Sequence, residues 1–140
     1  MIGTTLAAMR SRHLSVVIAA SPESVYDYAA DPDNLRHWAA GLASSEVTRR
    51  GDALLVESPM GTVIVRFVPH NDLGVFDHDV TLPTGETVHN PVRVLPHPDG
   101  AEVVFTVRQR DMSDEEFERD CATVTADLNR LRQILVDSAE

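Results

Sequence analysis

His78 is the residue whose type and setting most invite chemistry. In Val75-Phe76-Asp77-His78-Asp79-Val80-Thr81-Leu82, strand alternation puts Phe76, His78, Val80 and Leu82 on one face and Asp77, Asp79 and Thr81 on the other. Apolar company points the imidazole inward, where a neutral ring can act as acid, base or hydrogen-bond donor. The plainer alternative is a core histidine satisfied by one polar neighbour. Asp77 and Asp79 suggest a metal triad at first sight, but the histidine faces opposite to both. The two acids read as a solvated face, and no metal site is expected.

Asn90 makes a similar claim. It shares a strand face with Val88, Val92 and Val94, while His89 and Arg93 take the other. An inward amide among valines must be hydrogen-bonded or cost about 1–3 kcal/mol. It can orient a ligand carbonyl or hydroxyl, or bond backbone near Pro91, where a ladder donor is missing. Tyr28, Leu35 and Trp38 read as a roof, since Tyr and Trp offer an apolar body with one polar tip. Ordinary packing of short helices is the rival reading. Arg66 is inward by one choice of alternation, but Val63, Val65 and Phe67 make the better buried set and leave it solvated. Cys121 has no cationic neighbour within a turn to activate it and reads as a small core residue. Serine-hydrolase, phosphate-loop, dinucleotide and CxxC fingerprints are absent from the chain, and no cofactor is implied.

These residues need elements to hold them. Arg12 to Ala20 alternates as a strand with Leu14, Val16 and Ile18 on its buried side. Ser21-Pro22-Glu23 starts a short helix carrying Val25, Tyr28 and Ala29 inward, and Asp31-Pro32 ends it. Asp31 caps a second short helix that runs through Leu35 and Trp38 to a stop near Gly41. Six valine- and threonine-rich segments come next: 45–50, 53–58, 62–68, 73–82, 87–95 and 102–110. Turn residues separate them, so the spacing predicts an antiparallel meander. Ser113 to Glu116 is a capping box with Met112 and Phe117 as its staple. Phe117, Cys121, Val124, Leu128, Leu131 and Leu135 then form one apolar stripe on a helix of about 24 residues. The concave face of the meander is the surface long enough to receive it.

Composition bounds the rest. The chain has 140 residues, 43% hydrophobic and 24% charged, which suits one globular domain. It reads as a flexible leader over residues 1–11 and a single domain over 12–140. All 12 basic residues are arginine, and the net charge is −10. That charge repels phosphate backbones and anionic lipid surfaces, so neither a nucleic-acid partner nor membrane insertion is expected. The absence of lysine removes Schiff-base chemistry. A single cysteine fits a reducing cytoplasm.

The order of elements resembles the SRPBCC superfamily, the START-like or polyketide cyclase/dehydrase-like proteins. Three blocks carry the resemblance: Val16-Val17-Ile18-Ala19-Ala20-Ser21-Pro22-Glu23-Ser24-Val25-Tyr26 with Asp31-Pro32-Asp33-Asn34-Leu35-Arg36-His37-Trp38; Val88-His89-Asn90-Pro91-Val92-Arg93-Val94 with Glu102-Val103-Val104-Phe105-Thr106-Val107; and Met112-Ser113-Asp114-Glu115-Glu116-Phe117. The resemblance implies an α+β helix-grip fold, a curved seven-stranded antiparallel sheet around the long C-terminal helix. Two short helices come after strand 1, and a cavity is left between sheet and helix. It implies binding or transport of a hydrophobic small molecule, such as a lipid, isoprenoid or polyketide-like ring system.

The expected apolar wall is Phe76, Val80, Phe105 and Leu128. His78 and Asn90 are its polar points, and Tyr28, Leu35 and Trp38 its roof. One alternative is a cyclase or dehydrase in which His78 moves protons and Asn90 steadies an enolate oxygen. Another is a co-chaperone-like interaction module that uses the outer sheet face. Monomer and homodimer are both open.

Overall fold

A computed structural model describes residues 9–40 and 45–138. Alternation works as expected in β1 (Ser11–Ile18), where Val16 and Ile18 are buried and Ser11, His13 and Ser15 are exposed. Ser21 then caps α1 (Pro22–Ala29) by accepting the Ser24 N–H on its hydroxyl at 3.1 Å. Asp31 repeats the device, accepting the Asp33 N–H at 2.9 Å. It opens a 3-10 turn (Pro32–Asn34) that runs into a single helical turn, α2 (Leu35–Trp38). The stop expected at Gly41 lies outside the described residues, as do residues 1–8 of the expected leader.

The strands β2 (Val47–Arg50), β3 (Ala53–Ser58), β4 (Gly61–Phe67), β5 (His78–Thr81) and β6 (Thr87–Asn90) form a meander in that order. Strands β7 (Val92–His97) and β8 (Gly100–Arg108) follow in the chain and form with β1 a second, three-stranded sheet in the order β1-β8-β7, antiparallel throughout. Eight strands replace the expected seven because Pro91 has no N–H to give and splits the 87–95 segment in two. The halves stay joined: Phe76 N–H donates to Val92 O at 2.9 Å and Thr106 N–H to Pro91 O at 3.0 Å. The 73–82 segment is also shorter than expected. Gly74, at φ +72°, lets the chain pass so close to β7 that a Cβ there would lie 2.5 Å from the Val94 carbonyl oxygen.

Helix α3 (Asp114–Ser138) begins with the expected capping box, Glu116 N–H to Ser113 Oγ and Ser113 N–H to Glu116 Oε1, both at 3.2 Å. Its 25 residues extend about 37 Å. Phe117, Cys121, Leu128, Leu131 and Leu135 are buried along one side, against β1 and β8. The Arg10 and Arg12 guanidiniums lie 4.9 and 5.0 Å over the Phe117 ring, and Arg12 grips Glu118 with both nitrogens. No helix among the described residues is long and apolar enough to cross a membrane.

Candidate functional site

A hollow of about 400 Å³ remains between the sheet and α3, where one helix cannot fill the concave face. Val56 of β3, Val63, Val65 and Phe67 of β4, His78 and Val80 of β5 and Phe105 of β8 form its sheet wall. Leu35 and Trp38 of α2 roof it, and Asp120, Thr123, Val124 and Asp127 of α3 edge it. The roof is tied to the helix through backbone. Arg130 donates to the Trp38 carbonyl at 2.8 Å, and Asp127 accepts the Ala40 N–H at 3.1 Å. Arg130 and Asp127 also pair with each other at 3.1 Å.

His78 sits in the wall between two phenylalanines, its ring centroid 4.9 Å from Phe67 and 5.9 Å from Phe105. Its Nδ1 is 3.5 Å from the Phe76 carbonyl and its Nε2 3.4 Å from Asn90 Nδ2. A carbonyl only accepts, so Nδ1 carries the proton and Nε2 accepts from the Asn90 amide. This is the neutral tautomer. Burial lowers the imidazole below its ordinary pKa, against a smaller opposing pull from the Phe76 carbonyl and the Asp77 charge.

Trp38 is 4% exposed, and its indole Nε1 is, among the described residues, the buried side-chain nitrogen or oxygen without a hydrogen-bond partner. Burial raises the carboxyl of Asp120, opposed in part by Arg110. Burial likewise raises the Cys121 thiol, which lies in the core and not on this wall.

Five of the nine residues expected at the site meet in one hollow: Leu35, Trp38, His78, Val80 and Phe105. The other four do not line it. Tyr28 is half-buried against the core, and burial raises its phenol. Phe76 lies where the chain crosses toward β7, edge-on to Tyr26 at 6.2 Å, and lines a separate hollow with Tyr26 and His70. Leu128 is sealed in the core. Asn90, opposite His78 on the neighbouring strand, is off the wall and meets the imidazole at 3.4 Å.

Asp77 departs from the solvated face expected of it. It is 5% exposed because β7 folds Arg93 over it, and it accepts from Val92 N–H at 2.8 Å and Arg93 Nη2 at 3.1 Å. The backbone beside Pro91 is thus bonded by Asp77, which accepts the Val92 N–H, and not by Asn90. Burial alone would raise its carboxyl, but Arg93, the Val92 amide and His89 outweigh burial and hold it below the usual range. Arg66 is exposed and Val65 buried, as the alternation predicts. The missed wall residues on α3, Asp120 and Asp127, carry a signal after all: they sit four residues before and three after Val124, on one helical face. Among the described residues, no three His, Cys, Asp or Glu side chains are grouped to hold a metal ion.

A sheet gripping one long helix, with a mostly apolar hollow between them, defines a helix-grip protein. The family described as polyketide cyclase/dehydrase and lipid transport matches over residues 9–136, and the chain belongs to it and so to the SRPBCC superfamily. Solved structures agree in fold. XoxI from Bacillus cereus is 20% identical, with 96% of this chain and 99% of that one covered and a TM-score of 0.68. The Aha1 dimer from Colwellia psychrerythraea is 15% identical, with 91% and 96% covered and a TM-score of 0.69. DynU16, a protein of the dynemicin biosynthetic locus, is 12% identical over 89% of this chain and 46% of its own, at a TM-score of 0.68. A search of the curated proteins finds no match.

Proposed function

We propose that the protein binds a hydrophobic or amphipathic small molecule, of lipid, isoprenoid or polyketide-like ring type, in the hollow under α2. The observation that carries this is the wall itself: about 400 Å³ faced mainly by valine, leucine and aromatic side chains, with few polar points. Carriage is favoured over turnover by the state of His78. Both its ring nitrogens are engaged, and the Asn90 amide, expected to meet an enolate oxygen, is directed at the imidazole instead. A cyclase needs a free base and a free donor facing the same carbonyl. The outer sheet face carries the linked polar side chains of Asp77, Arg93, His89 and Asp79, which suit solvent better than an apolar partner.

Native mass spectrometry of the purified protein, before and after organic extraction, tests the reading. A removable apolar adduct is the expected result. A clean apo mass in both samples, with no uptake of added naphthalene-type probes, overturns it.

A further inference from the structure

We infer that the Phe67 ring is a partition that limits the ligand to a compact body, by closing the hollow under α2 off from the second hollow beside Tyr26, His70 and Phe76. This rests on the proposed binding function and names the residue that sets how long the ligand can be.

The first support is position. The second hollow measures about 490 Å³ and is walled by α1, the turn after it and the chain that leads out of β4. Phe67 is the one described residue that lines both hollows. It ends β4, and its pairing with His78 is the last rung of the β4–β5 ladder. Beyond that rung the chain divides its service. Val68, Pro69 and His70 run along the second hollow, while His78 and Val80 face the first. A side chain at that fork has a hollow on either hand. Alternation places the Phe67 ring on the inner face with Val63 and Val65, and its centroid is 4.9 Å from that of His78. The residue is half-buried, as one bordering open space must be.

The second support is what lies on the two sides. The chain has four phenylalanines. Phe105 lines the first hollow alone, Phe76 the second alone, and Phe117 is buried and lines neither. Truncating Phe67 is therefore the change that opens one space to the other. The way through would be apolar at both ends, with Val65 and Val80 before the ring and Val68, Phe76 and Ala30 after it. The second hollow also has Asp27, Arg49 and Asp52 on its lining, and all three are exposed. A methylene adds to binding only while an apolar wall receives it. With Phe67 in place, an alkyl chain too long for the first hollow leaves by its mouth into water and gains nothing.

Two naphthyl probes that differ only in chain length, ethylnaphthalene and decylnaphthalene, test this when both are supplied from cyclodextrin. In the natural chain the two should bind within about threefold of each other. In Phe67→Ala the decyl probe should bind at least about tenfold more tightly than the ethyl one, and in Phe67→Leu the gain should be smaller with the same sign. Adding Ala30→Trp to Phe67→Ala refills the second hollow alone and should cancel the gain. A tenfold preference for the decyl probe already in the natural chain, no preference in Phe67→Ala, or one that survives Ala30→Trp overturns the inference and leaves the cavity standing. No saturable binding of ethylnaphthalene by the natural chain overturns the cavity reading and this one with it. If the variants do not fold, nuclear Overhauser contacts in the natural chain decide. A decyl methyl group touching Phe76 or Ala30 overturns the partition, and a probe whose contacts stay with Val80 and Phe105 supports it.

Discussion

The Asp77 carboxylate accepts the Val92 backbone N–H at 2.8 Å, one residue past the proline that divides β6 from β7. The same carboxylate holds Arg93 at 3.1 Å and faces His89 at 3.6 Å. It therefore serves as the clasp between the two halves of the sheet, and the wall residues His78 and Phe105 lie on either side of that join.

Asp77→Ala should cost about 2–3 kcal/mol in urea unfolding, since a buried amide and a guanidinium lose a charged acceptor together. The pH dependence has a definite sign. The folded carboxyl is held below its ordinary value, so its contribution is complete above the unfolded pKa of about 4 and is lost as pH falls through the lower folded value. The gap between natural chain and variant should be full at neutral pH and close in acid. A gap that stays constant down to about pH 2 would show that charge is not what Asp77 supplies.

Gly100 and Gly51 make a controlled pair. Both have positive φ, +137° and +62°. A Cβ at Gly100 would lie 2.4 Å from the Ile18 carbonyl oxygen and within 3 Å of Ala20 backbone, whereas at Gly51 nothing lies within 4 Å. Gly51→Ala should cost about 1 kcal/mol of backbone strain. Gly100→Ala should cost at least twice that in thermal or urea unfolding, because backbone and not a side chain must move. Equal losses would mean that the β1–β8 edge relaxes freely.

His78 gives a pH signature at higher pH than Asp77. Burial lowers its folded pKa, so the unfolded chain takes up a proton that the folded chain refuses. Stability then rises with pH and is lost as pH falls below the unfolded value of about 6.5. His78→Phe should flatten that part of the stability curve. NMR titration of the imidazole should find it still neutral somewhat below about pH 6.5. An imidazole that protonates at or above that value would contradict the neutral, Asn90-capped tautomer.

Local patterns foretell the elements well because each rests on nearest neighbours in sequence. The Ser21 and Asp31 caps, the Ser113–Glu116 box and the Val63-Val65-Phe67 face are of this kind. What the patterns miss depends on partners far along the chain. Asp77 has the parity of an outward residue, and it is buried because Arg93, sixteen residues on, closes over it. Phe76 and His78 share a parity, yet the strand begins only at His78, so the two rings enter different hollows. The helical pattern of α1 favours Tyr28 as the inward tyrosine, but Tyr26 is the buried one, its hydroxyl accepting the Asn71 N–H at 3.1 Å from a distant loop. Asn90 does share a face with His78, its partner on the neighbouring strand, and nothing in its own strand says that its amide would meet that imidazole.

Val80 and Val103 allow the hollow to be tested as a space. Val80 is half-buried on the hollow's wall; Val103 is fully buried in β8, paired with Val16 and Val94. The same change to phenylalanine adds the same volume at both. In a filled core such overpacking costs about 1–3 kcal/mol, because neighbours must leave their rotamers. Val103→Phe should show that loss. At Val80 the ring has the hollow to enter, beside Phe105 and His78, so Val80→Phe should stay within about 1 kcal/mol of the natural chain. Ligand binding should move the other way. Val80→Phe should lose the naphthyl probes by at least about tenfold, since the ring occupies the volume they need. Two results would count against the site. If Val80→Phe destabilises as much as Val103→Phe, the wall has no room behind it. If Val80→Phe folds and still binds the probes undiminished, the ligand sits elsewhere, and the hollow beside Tyr26 and His70 becomes the place to look.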